Sequence, residues 1–144
     1  MQTVAKLPQQ AVHRCHVWIS ADLAALPDDA SALVALMASI LSATDGDGPS
    51  AIVHTVALQC LGPFSQLSAV DWQRTLAVNL ISPVLISKAL LPHLISQNGS
   101  IVHIGSIHSQ LTKPGFTAYA TSKAALAGLT RAMSVELGGA VRVN

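Results

Sequence analysis

Apolar positions in this chain fall into short unbroken runs, separated by longer stretches with helical spacing. The run CHVWISADL, residues 15–23, reads as a short buried strand that ends on an aspartate. After it, Leu33, Leu36, Met37, Ile40 and Leu41 recur at helical spacing, with Asp28 or Asp29 placed to cap the start. The turn TDGDGPS leads into a second strand-length run at 51–58. Residues 71–94 predict a long helix, which Pro83 is expected to bend and which Pro92 brings close to its end. NGSIVHIGS predicts a turn and a third strand. Residues 118–137, dense in Ala and Leu, predict a helix ended by Gly138 and Gly139, and AVRVN opens a fourth strand.

Strands separated by helices imply βαβ units and a parallel sheet, so the expected class is α/β: a partial Rossmann-like, doubly wound sheet in three α/β/α layers. At 144 residues, without an internal repeat or linker, the chain is expected to form a single partial domain over 1–144. Ligands of such sheets bind beyond the carboxyl ends of the strands. The residues there are Asp22, the turn at Ala57, Ser106 and then Tyr119.

Composition narrows the picture. The chain is 51% hydrophobic and 10% charged, with a mean hydropathy of +0.50. The longest apolar stretch is interrupted by Asn79, Pro83, Lys88, Pro92 and His93, so no membrane span is expected. The apolar excess instead fits a sheet buried on both faces or a large subunit interface. A net charge of +1 without a basic cluster argues against nucleic acid as a partner. MQTVAKLPQQ does not read as a signal peptide. Cys15 and Cys60 form no motif and read as reduced thiols, so a cytoplasmic location is expected.

The stretch YATSK holds the single tyrosine of the chain, Tyr119, with Lys123 four positions on. One helical turn puts both on the same face. A free phenol titrates near 10, too high for a good base at neutral pH, and a neighbouring cation favours the phenolate. The pair is therefore either a helix-start aromatic with a solvated lysine or a proton-transfer device. Ser106 lies thirteen residues before Tyr119.

GSIVHIGS, that spacing and YATSK together resemble the short-chain dehydrogenase/reductases, with their Ser and Tyr-x-x-x-Lys. The Asn in LAVNLISPVLISKALLPHL matches the family helix with an active-site Asn; SADL and VELGGAVRVN match the ends of further family elements. The resemblance runs from about Cys15 onward. It implies hydride transfer between NAD or NADP and a small alcohol or carbonyl substrate. It further implies that Tyr119 is the general acid/base, and that Lys123 lowers the tyrosine pKa and bonds the nicotinamide ribose. Ser106 would hold the substrate oxygen, Asn79 would anchor a proton-relay water, and Asp22, Leu23 and Ala57 would border the cofactor. A homo-oligomer through the helices bearing Asn79 and Tyr119 is implied as well.

Plainer readings stand beside these roles: Asn79 as a bonded structural amide, Ser106 as a turn serine, and Asp22 as the cap of a short turn. Departures from the family are also present. Its Asn-Asn-Ala-Gly is here His54, Thr55, Val56 and Ala57, and no G-x-G lies upstream of Asp22. The chain therefore reads as the middle of a family domain, without its first two strands, and the strand at 15–23 is expected either to pair abnormally with that at 51–57 or to leave an open edge. A catalytically inactive remnant acting as an interaction module is the alternative reading. His13, Cys15 and His16 have metal-type donors but no partner cluster at ligand spacing, so no metal is expected. Around Ser106 the G-x-S-x-G elbow fails, because Ile104 and His108 stand at both glycine positions. His103 and His108 are expected to line or border the site.

Overall fold

The computed structural model describes residues 16–144. Asp29 starts helix α1 (Ala30–Ala43): its carboxylate accepts from the Ser31 and Ala32 amides and from the Ser31 hydroxyl. The Ser31 hydroxyl bond, with the Ala32 amide behind it, holds the Asp29 carboxyl below its usual range. The apolar residues expected on one face of α1 are half-buried, and the helix contacts a later helix rather than the sheet. The turn that follows needs left-handed backbone. Gly48 lies at φ +74, and a Cβ there would meet the His93 ring at 2.5 Å.

Strand β1 (Ala51–His54) leads through an irregular segment to helix α2 (Ala69–Leu76). Ser68 and Asp71 close a capping box at its start, which sets the helix two residues earlier than the apolar pattern suggested. The backbone then widens into a π turn (Ala77–Ile81) before helix α3 (Ser82–Ser96). Pro83 has no N–H to give back to the carbonyl four residues earlier, and the Ser82 N–H reaches Ala77 O instead. The expected bend at Pro83 is thus a π turn carrying Asn79. α3 runs on past Pro92 to Ser96.

Strand β2 (Ser100–His103), helix α4 (Thr117–Glu136) and strand β3 (Arg142–Val143) complete the order. All pairing is parallel: Ala51 to His54 lie opposite Ser100 to His103, and Ser100 and Ile101 lie opposite Arg142 and Val143. The α/β class is as expected, with the sheet order β1-β2-β3 and the C-terminal residues forming a strand. Leu94, Ile101, Val141 and Val143 form the buried core, with Ile52, Leu91, Met133 and Leu137 packed around it. The helices α3 and α4 cover that face, while Val53, on the other face of β1, is 56% exposed.

The strand expected at 15–23 is not found. Cys15 lies outside the described residues; His16 to Ser20 are exposed and unpaired, with Trp18 96% exposed, and turns begin at Leu23. A strand is defined by a partner, and among the described residues β1 pairs with β2 alone. Among the described residues no segment pairs with its other edge, so the expected pairing of 16–23 with β1 is corrected. The run Ala69–Ser96 also revises the expectation about membranes. By length and composition it is apolar enough to cross one, with mean hydropathy 1.5 over its most apolar window. Its polar Asn79, Ser82 and Ser87 are buried against other elements of the fold.

Truncating the most enclosed core side chain tests this packing. Leu94→Ala is expected to lower stability by about 2–5 kcal/mol, read from the shift of a urea unfolding midpoint.

Candidate active site

The segment leaving β1 and the beginning of α4 meet at Asn79. Its amide Nδ2 donates to Leu58 O and to Ser122 Oγ, both at 2.9 Å, and its Oδ1 accepts from the Leu58 N–H at 2.6 Å. Ser122 in turn donates to Tyr119 O at 2.7 Å. One side chain thereby ties the segment leaving β1 to the first turn of α4. Asn79 is 1% exposed and fully bonded, which the π turn makes geometrically available by turning it toward α4.

Tyr119 and Lys123 lie on the inward face of α4, 6% and 2% exposed. The Lys123 Nζ donates to Ile104 O, at the end of β2, at 2.8 Å. An ammonium carries three donors, so a charge this deeply buried has protons to spare after that bond. Ser106 caps the short 3-10 turn at Ile107–Ser109: its Oγ accepts from the His108 N–H at 3.2 Å, and its carbonyl accepts from Ser109. No hydrogen bond links Ser106 or Lys123 to the Tyr119 hydroxyl here. The contacts of the Tyr119 ring are aromatic: His108 and Phe116 stack at 4.3 Å and both meet it edge-on.

The remaining expected residues lie along the rim. Asp22 caps a turn, accepting from the Ala24 N–H at 2.9 Å. Leu23 is half-buried, and its carbonyl accepts from the Ser82 hydroxyl at 2.5 Å, which fixes that turn to the start of α3. Ala57 is exposed beside Leu58, the residue that Asn79 holds. Among the described residues no group of three metal-ligating side chains occurs.

The histidines divide. His108 borders the site, as expected. His103 does not: it is buried between β2 and α4, a correction with a clear cause. Alternation along β2 turns it to the same face as buried Ile101, where its Nδ1 meets Thr130 Oγ1 at 3.0 Å. The Thr130 hydroxyl donates to Leu126 O, so the ring nitrogen is the donor, and the buried His103 Nε2 is left without a partner. Opposite it in register, His54 stacks at 5.2 Å and bonds Ser87 of α3 at 2.9 Å. These two rings join the sheet to both helices, and His54 stands at the first position of the family's Asn-Asn-Ala-Gly. Ser122 was missed altogether; its one signal was a small polar residue one turn after Tyr119 on an otherwise apolar face.

The sequence model of the short chain dehydrogenase family matches residues 1–144, and the chain belongs to that family. It is 35% identical over 87 residues to the 5-keto-D-gluconate 5-reductase of Escherichia coli K12, covering 60% of this chain and 34% of that one. Over 106 residues it is 35% identical to carbonyl reductase [NADPH] 2 of Sus scrofa, covering 71% of this chain and 43% of the pig enzyme. A solved Brucella ovis oxidoreductase of the family, in complex with a partially ordered NAD, superposes with a TM-score of 0.78 at 29% identity, over 88% of this chain and 59% of that one. The chain thus spans about a third to under half of the length of these two curated relatives.

Two outcomes follow from this geometry. Asn79→Leu, close in size, leaves the half-buried Leu58 N–H and C=O without their side-chain partner and is expected to lower stability by about 1–3 kcal/mol in urea unfolding. Burial, and behind it the His103 charge, lowers the His54 pKa from 6.5 to about 4. A depressed histidine binds protons more readily when unfolded, so its stabilising effect is complete above 6.5 and fades as pH falls toward 4. Burial shifts His103 in the same direction. His54→Gln is therefore expected to flatten the loss of melting temperature across that interval, measured by circular dichroism.

Proposed function

We propose that this chain carries the proton-transfer part of an NAD(P)-dependent oxidoreductase acting on a small alcohol or carbonyl, within a single family domain to which residues 1–144 contribute. The observation that supports it most is Lys123: a buried ammonium with one acceptor, one turn from the single tyrosine, at the carboxyl end of the sheet. Its spare donors fit the vicinal hydroxyls of a nicotinamide ribose. The names of the pig reductase and the Brucella oxidoreductase point to NADPH and NAD respectively, so either cofactor suits this reading. When bound, the nicotinamide gives or takes the hydride.

The residues of the chain do the rest. In reduction the Tyr119 hydroxyl gives its proton to the carbonyl oxygen as that oxygen gains charge; in oxidation it takes the alcohol proton back. Lys123, on the same helix face, turns its remaining donors toward the place of the cofactor. Ser106 Oγ, at the mouth of the 3-10 turn, holds the reacting oxygen by hydrogen bond. Asn79 keeps Leu58 and α4 in register so that these groups converge, and in the full reading it orders a relay water beside Lys123. Asp22, Leu23 and Ala57 form the rim against which the cofactor lies. Self-association through the helices bearing Asn79 and Tyr119 belongs to the same proposal, since Val70, Ile81 and Val135 leave apolar side chains exposed there.

A second reading, an inactive remnant acting as an interaction module, draws on His54, Thr55, Val56 and Ala57 in place of the family asparagines. Turnover separates the two. With NADH or NADPH and a panel of small ketones, Tyr119→Phe is expected to reduce kcat by about a hundred- to ten-thousand-fold while cofactor binding persists. A folded wild-type chain that oxidises neither cofactor favours the remnant.

A further inference from the structure

Between Asp71 and Glu136 the chain carries Arg74, Lys88, Lys113, Lys123 and Arg131 and not one carboxylate. The proposed chemistry uses Lys123. Lys113 is left over, and it stands on the loop that links Ser106 to Tyr119. Its Nζ lies 4.7 Å from the centre of the Phe116 ring, a cation–π contact, and no acidic side chain among the described residues neutralises it. Phe116 stacks on His108, and both rings meet Tyr119 edge-on at 5.8 and 6.2 Å. The loop is anchored: Gly115, at φ +85, accepts from the Gly62 N–H at 3.0 Å, and His108 Nδ1 meets Thr112 Oγ1 at 3.1 Å. His108 Nε2 has no protein partner among the described residues.

We propose that this loop selects ketones and alcohols that carry a carboxylate, with Lys113 and the His108 Nε2 receiving the anion while the reacting oxygen sits at Tyr119. The inference rests on the function proposed above. One ammonium and one imidazole donor suit a monoanion better than a dianionic phosphate, which calls on more donors. The aromatic stack supplies an apolar wall for the carbon chain between the two polar ends.

The test compares acids with their neutral counterparts. Pyruvate, acetoacetate and levulinate, and the methyl ester of each, are titrated into the full chain with NAD and NADP present. Binding is followed through the ring resonances of 15N-labelled histidine, a readout that needs no turnover. At least one acid is expected to shift His108 saturably and to bind roughly tenfold or more tighter than its ester. Lys113→Met is expected to erase that preference and Lys113→Arg to retain most of it. Equal binding of acid and ester, unchanged preference in Lys113→Met, or no saturable shift of His108 with any acid would overturn the proposal. Acid binding that depends on Lys113 without any cofactor oxidation would support the anion contact while counting against the dehydrogenase reading.

Discussion

A primary amide can donate and accept at once, and Asn79 uses that capacity where a strand has ended and its backbone has run out of ladder. Leu58 lies four residues past the end of β1, yet both of its backbone groups are paired, by one side chain, as a neighbouring strand would pair them. The same amide reaches Ser122 and so locks the first turn of α4 to that segment. Tyr119 and Lys123 stand on the helix that this join holds, and Lys123 ties that helix to Ile104 at the end of β2. A charged residue would have suffered desolvation there, and an apolar one would have left Leu58 unsatisfied.

The π turn is the backbone half of the same device. A regular helix through Pro83 would leave the carbonyl of Asn79 without its donor, and a widened turn accommodates that loss while aiming Asn79 inward. Behind it, the sheet meets the helices through His54 with Ser87 and His103 with Thr130. Stacked neutral imidazoles fill the space and bond Ser87 and Thr130, while the His103 Nε2 stays without a partner. They do so at the expense of acid tolerance, because neither ring can be protonated comfortably where it lies. The site in front is held by an amide that no pH alters; the support behind it is held by rings that titrate.

How much of this could be read from the residues follows from what each signal depends on. The helices and the parallel strands were legible because apolar spacing reports local periodicity, and YATSK was legible because one helical turn fixes the spacing of its pair. Asp29, Ser68 and the π turn were legible only in part, since capping and proline chemistry move element ends by a residue or two. The strand at 15–23 misled because an apolar run declares burial without declaring a partner, and pairing is a property of the whole sheet. His103 misled for a related reason: position after a strand suggested the site, whereas alternation along β2 turned the ring to the helix face. Ser122 and the Phe116–His108 stack were invisible, since both exist only once α4 folds against the loops.

The account stands or falls on whether Asn79 assembles a nicotinamide site from parts that the sequence holds far apart. Calorimetric titration of NADH and NADPH into the wild-type chain and into folded Asn79→Leu tests this most directly. Saturable binding by the wild type, weakened about tenfold or more in the variant, is the predicted result. Equal affinity in the two folded proteins, or no binding by a folded wild type, would contradict it.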